Sequence, residues 1–271
     1  MQFIKLDLSN AIASIKLQHA GGNRINFQMR EEIFNAVESV AKSDARVLVI
    51  KGDGEDFCLG GDVRDWPDVP VDKLRPRVEV FANALDRLEQ LDIPTIASVQ
   101  GGCAGGGFEL ALACDMIIAS RSARFSFPEA LIGIMTLQGG VYNIAERIGR
   151  TKAVELAFLS DPAPAEQLAH WNVVNRVVDD EALIPETDGL AQRLATGPAM
   201  VYAATKELLR IWQSEGVRGA RKALYDISMP LFGTDDTQRA LHNVAAAVNA
   251  GQPFPRAIFS AGPKDRSSTS R

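Results

Sequence analysis

The chain has 271 residues, 46% hydrophobic and 23% charged, a balance that suits a globular protein of one or two domains with a large core. Its formal charge of −5 gives no electrostatic reason to expect a nucleic-acid or anionic-membrane partner. No apolar run approaches the roughly 18 residues of a membrane span, and the opening MQFIKLDLSN lacks a signal-peptide core, so a cytoplasmic setting is expected.

Phe3–Leu8 and Ile12–Leu17 alternate in polarity around Ser9–Asn10–Ala11, which predicts a hairpin. Gln28–Ala41 carries a helical period, and Arg46–Lys51 (RVLVIK) is a buried-strand run leading into the glycine turn DFCLGGD, Asp56–Asp62. Val63–Asp72 is rich in proline and aspartate, the composition of a surface loop leading into a helix over Leu74–Leu91. Trp66 on that loop either lines a ligand pocket or packs as an ordinary aromatic.

Ile93–Gln100 is a second buried-strand run, followed by GGCAGGGFELALACD, Gly101–Asp115. The pattern reads as strand, turn and helix, with Gly105, Gly106 and Gly107 where the helix begins and Glu109 in the first turn of Phe108–Cys114. Glycines there clear the approach to unpaired N–H groups at a helix N-terminus, which suit a phosphate or a developing oxyanion. The spacing is not GxGxxG, and no acidic residue follows where a dinucleotide site needs one. Taken alone, such a turn could serve only close packing of helix and strand. Two turns of this kind, however, could bring two backbone N–H groups around one oxygen, the minimum for an oxyanion hole.

The three cysteines, Cys58, Cys103 and Cys114, lie in or beside these motifs without CxxC spacing, and His19, His170 and His242 are scattered. They read as small packing residues, with no thiol nucleophile and no metal-ligand pair. Asp115–Ala119 and Ala123–Phe127 are short strands, and Pro128 sets the chain so that Glu129 follows at a defined angle; a lone glutamate there would be solvated or a helix N-terminal charge. Helices are predicted over Gln138–Arg147, Thr151–Leu159, Ala165–Trp171, Thr187–Ala195, Pro198–Ser214, Val217–Met229 and Asp235–Asn249. A β-rich first half and a helical end indicate an α/β (α+β) fold, divided into a core over residues 1–190, a helical region over 191–260 and a polar, disordered tail over 261–271.

FCLGGD resembles the FxAGxD signature, and GGCAGGGFELALACD the NGxAxGGGxELALxCD signature, of the crotonase (enoyl-CoA hydratase/isomerase) superfamily. FPEALIG follows in the family's order, and the similarity runs from about Ile12 to about Phe259. The resemblance implies a spiral of ββα turns with a C-terminal helical trimerisation region, assembled as a homotrimer or a hexamer of two trimers. It implies an acyl-CoA thioester as substrate, with coenzyme A as part of that substrate and no separate cofactor or metal. Glu109 and Glu129 match the two catalytic glutamates, Glu109 holding and activating a water and Glu129 protonating C2, and the N–H groups of Leu59 and Gly106 are expected to hold the thioester oxygen. Substrate contacts are implied at Gly60, Gly61, Asp62, Trp66 and Gly105. GGNRINF resembles the family segment ending in asparagine, here Asn26, so Arg24 either meets the coenzyme A phosphates or adenine or is a surface arginine.

The sequence departs from the family at Leu59, where a small residue is usual, at Thr136, where proline is common in the segment resembling GxxPxxGG, and at Asn172, which replaces a helix-ending glycine and tolerates the same left-handed conformation. Near the C-terminus a basic coenzyme A contact is replaced, and Lys206, Arg256 or Lys264–Arg271 could substitute. The implied activity is hydration of a 2-enoyl-CoA. The alternatives are double-bond isomerisation through Glu129 alone, a hydrolase or lyase sharing the hole, and a non-catalytic homologue that binds acyl-CoA or protein.

Overall fold

β1 (Ile4–Ser9) and β2 (Ile12–Leu17) pair antiparallel with Ile4 opposite Leu17, and Asn10 and Ala11 close the hairpin at φ 50° and 62°. Two left-handed central residues make a turn whose twist matches that of the strands, so the turn excludes Ser9. α1 (Phe27–Lys42) starts at Asn26, whose side chain accepts from the Met29 N–H at 2.8 Å, the expected work of an asparagine N-cap. It leads to β3 (Val47–Gly52), and α2 (Val71–Glu89) leads to β4 (Thr95–Val99). Strands β2, β3 and β4 are parallel, and every residue of β4 is buried, as in a strand covered on both faces. The computed structural model describes residues 1–255 together with Ala257, Phe259 and Gly262.

After β4 the chain forms β5 (Gly102–Ala104) and α3 (Gly106–Leu112), then β6 (Met116–Ser120), β7 (Arg124–Ser126) and a 3-10 turn at Pro128–Ile132. α4 (Gly140–Ile148), α5 (Arg150–Leu159), β8 (Ala163–Pro164), α6 (Ala165–His170) and β9 (Arg176–Val178) follow. One sheet has the order β1-β2-β3-β4-β6-β9 and the other β5-β7-β8. A strand in the larger sheet, a short strand in the smaller one and a helix thus recur as β4-β5-α3 and β6-β7-α4. Asn172 takes φ 62° just after α6, the left-handed exit expected of it.

The chain divides into two compact units, one of Met1–Leu91 with Thr95–Ala191 and one of Asp92–Pro94 with the chain from Gln192. α7 (Leu183–Ala195) runs into the second unit, which holds α8 (Ala199–Ser228) and α9 (Asp235–Asn249). Gly216, at φ 70° and ψ −171°, breaks α8 between the two helices that the sequence predicts there. Lys206 Nζ donates to the Ile93 carbonyl at 3.2 Å, which gives that amine a structural partner. Arg256, Lys264–Arg271 and, except for Gly262, the predicted tail lie outside the described residues. Among the described residues no helix is long and apolar enough to cross a membrane.

Candidate active site

The two glycine motifs lie side by side because their backbones are zipped together. Phe57 N–H donates to Gln100 O at 2.8 Å, Cys58 N–H to Gly102 O at 3.2 Å, and Ala104 N–H to Cys58 O at 2.9 Å. This pairing adds an isolated bridge between Cys58 and Cys103 to β5, which is a strand through its parallel pairing with β7, and three residues are too few for a sequence period to announce it. A Cβ on Gly107 would lie 2.2 Å from Cys58 O, a backbone atom that the zip holds in place. Gly107→Ala is therefore expected to lose about 1–3 kcal/mol of stability or more, read as a lower urea midpoint with an unchanged slope; an unchanged midpoint would show that the two turns separate freely.

The zip also decides which N–H groups remain unused. Leu59 N–H donates to Gly22 O at 2.8 Å and Asp62 N–H to Ile25 O at 3.0 Å, while Gly60 N–H faces the Cys58 thiol. The expectation that Leu59 offers an oxyanion donor is thereby corrected, since its hydrogen is already spent. The Leu59 side chain instead fills the space over Gly22 and Gly102, and a Cβ on either glycine would meet it at 2.4 Å. Among the described residues no acceptor engages Gly61 N–H or Gly106 N–H. These two groups are neighbours: a Cβ on Gly106 would lie 3.8 Å from the Gly61 nitrogen. Gly60 permits this course because it takes φ 86°, and a Cβ there would meet Ala104 O at 2.7 Å.

Beside the two N–H groups is a narrow cavity of about 30 Å³, lined by both glutamates, Gly61, Gly106, Trp66, Arg30, Phe81 and Leu137 among others. It has room for about one water. Glu109, 1% exposed, is fixed by the start of α4: its Oε1 accepts from Gln138 N–H at 2.8 Å and Gly140 N–H at 2.9 Å. Gly139 takes φ 86°, so the helix begins at Gly140 rather than at the predicted Gln138, and both amides turn to the carboxylate. Burial pushes the Glu109 carboxyl up to about 7, with a smaller push from Glu129, although the two N–H groups favour the ionised form. Glu129 follows Pro128, and its Oε2 is buried without a hydrogen-bond partner. Burial raises its carboxyl as well. Its Oε1 occupies the space beside Gly105, where a Cβ would come within 2.7 Å; with φ 51° at Gly105, only glycine fits comfortably.

The other expected residues divide. Trp66 lines the cavity, its ring 2.9 Å from the Cβ position of Gly61 and its Nε1 buried without an acceptor. Asp62, 4% exposed, is paired with Arg64 Nε at 2.7 Å and Arg64 Nη2 at 2.6 Å, so its carboxylate pins the turn after the motif. Arg24 is half-buried and donates to Leu59 O at 3.1 Å, bracing the motif rather than standing free on the surface, and it does not line the cavity. The three thiols are buried; burial pushes Cys58 up to about 12 and Cys103 well above its ordinary value, leaving neither a ready nucleophile. Thr136 Oγ1 accepts from Val141 N–H at 3.3 Å, so the residue replacing proline helps to seat α4.

No sequence motif marks Arg30 as a site residue; its one signal is its place on the apolar stripe of α1 with Ile33 and Val37, where a charge is unusual.

Residues 7–244 match the family model described as enoyl-CoA hydratase/isomerase. The chain is 34% identical to the 1,2-epoxyphenylacetyl-CoA isomerase of Escherichia coli (strain K12) over 215 residues, 77% of this chain and 82% of that protein. It is 30% identical to a probable enoyl-CoA hydratase of Rhodobacter capsulatus over 205 residues, 75% of this chain and 79% of that one. A solved enoyl-CoA hydratase subunit from Geobacillus kaustophilus HTA426 superposes with a TM-score of 0.81 at 32% identity, covering 95% of this chain and 98% of the other.

Proposed function

From the premise that the chain belongs to the enoyl-CoA hydratase/isomerase family, with the crotonase fold, we propose that it adds water across the 2,3 double bond of an α,β-unsaturated acyl-CoA thioester. The observation that carries this reading is the pairing of one buried carboxyl, Glu109, with one half-buried carboxyl, Glu129, on one small cavity, next to two unused N–H groups. The thioester oxygen accepts from Gly61 and Gly106, which hold the negative charge that grows on it as C3 is attacked. A preorganised donor of this kind typically contributes about 2.7–4 kcal/mol to the transition state.

Glu109 takes the proton of the attacking water. Its carboxylate is oriented by the Gln138 and Gly140 N–H groups, and a value of about 7 suits a base that works near neutrality. Glu129 delivers a proton to C2. Its Oε2 has no partner in the fold and is free to turn to the substrate, and burial raises its carboxyl, though by less than that of Glu109. Coenzyme A enters as part of the substrate.

The likeness to an isomerase and the freedom of Glu129 favour a second reading, transfer of a proton between two carbons by Glu129 alone. An absorbance and mass assay with crotonyl-CoA and longer 2-enoyl thioesters separates the two. Loss of conjugation with a gain of one water is the expected result. Loss of conjugation at constant mass would replace hydration by isomerisation, and no change across the panel would overturn both.

A further inference from the structure

α1 buries two charged side chains, and they are treated differently. Glu32 accepts from the N–H groups of Gln2, Phe3 and Ile4 at 2.8, 2.7 and 3.1 Å, so its charge is spent on the edge of β1. Arg30, 3% exposed, has no such compensation. Its Nη1 donates to Arg77 O at 3.3 Å, and its guanidinium stacks over Phe27 and Trp66 at 5.2 and 5.6 Å. Its Nε is buried with no acceptor, and among the described residues no carboxylate pairs with it. The opposing charge that acts on it through space is Asp65, which is exposed.

The two nitrogens without partners, Nε and Nη2, form one edge of the guanidinium, the edge that takes both oxygens of a carboxylate at once. Nη2 is 3.6 Å from the Cβ position of Gly61, so this edge is beside the proposed thioester-oxygen site. Trp66, whose Nε1 is also buried and unpaired, lines the same cavity. Arginine and indole supply donors only, so the group that completes them must be an acceptor. Of this edge Nε is shut away from water without an acceptor, which stacking alone would not require.

We propose that Arg30, assisted by Trp66 Nε1, binds a carboxylate carried by the acyl group, so that the protein takes short acidic acyl-CoA thioesters in preference to neutral ones. The inference rests on the acyl-CoA reading above and deepens it. The closeness of Nη2 to Gly61 and the narrow cavity restrict the acid to within a few bonds of the thioester carbonyl.

Equilibrium titration of the full chain with malonyl-, succinyl- and glutaryl-CoA against acetyl-, butyryl- and pentanoyl-CoA tests this without any reaction taking place. At least one short acidic thioester is expected to bind on the order of 10- to 100-fold more tightly than its neutral counterpart, and the ratio should fall to within about threefold of unity in Arg30→Met. Arg30→Lys keeps the charge without the fork and should lose most of the preference; it carries the test should the methionine variant fail to fold. Equal binding of acidic and neutral thioesters by the native chain, or a preference that survives both substitutions, would overturn the proposal. Acid preference without hydration of any 2-enoyl thioester would leave the Arg30 inference standing and remove the hydratase reading, and hydration of crotonyl-CoA without acid preference would do the reverse.

Discussion

Glu129→Gln is expected to lower kcat by about 10²- to 10⁴-fold while acyl-CoA affinity stays nearly constant. Its Oε2 holds no hydrogen bond in the fold, so an amide of the same shape removes the proton donor and little else. Glu109→Gln should fall in the same range for a different reason. The amide oxygen can still accept from Gln138 and Gly140, which keeps α4 in place, but the group can no longer take a proton from water. On the proposal that both carboxyls serve one addition, the double variant should be little slower than either single one. Steady-state rates with crotonyl-CoA, together with titration by butyryl-CoA, check all three variants. Turnover that survives Glu109→Gln but not Glu129→Gln would identify isomerisation, and turnover indifferent to both would remove the carboxyl pair from the chemistry.

The glycine motifs were legible because glycines clustered after a buried strand serve either close packing or access to backbone N–H groups, and the two turns do meet. Which N–H groups remain free was not legible. At Leu59 the amide faces Gly22, 37 positions earlier in the chain, and only the folded backbone shows that its hydrogen is taken and that of Gly61 is not. The long helices followed from their apolar period, with α9 at its predicted bounds. Strands β5 and β9, three residues each, carry too little pattern to stand out and exist because neighbouring strands hold them. The start of α4 was displaced by two residues because Gly139 turns left-handed. Arg30 was visible as a charge among the apolar positions of α1, but only its missing partner distinguishes it from a side chain that snorkels to water.

Glu109 should also make the protein less stable in base than in mild acid. Its carboxyl ionises near 4.5 in the unfolded chain and at about 7 when folded, so the folded state holds its proton more tightly. A raised carboxyl contributes stability that is fully present below the unfolded value and is lost as pH rises through the folded one; the window is therefore about pH 4.5 to 7, with the full loss above it. A gap of that width corresponds to on the order of 3 kcal/mol, and the raised carboxyl of Glu129 acts in the same direction. Glu109→Gln removes the titration while retaining the acceptor for the two N–H groups. The variant should unfold at higher urea than the native chain at pH 8, and the difference should shrink or reverse at pH 4.5. The substitution expected to lower turnover would thus stabilise the fold at pH 8, as expected where a buried charge is kept for its chemistry. Urea midpoints that move in parallel with pH for the two proteins would mean that Glu109 is already ionised well below 7, and its fitness as a base near neutrality would then have to come from its hydrogen bonds alone.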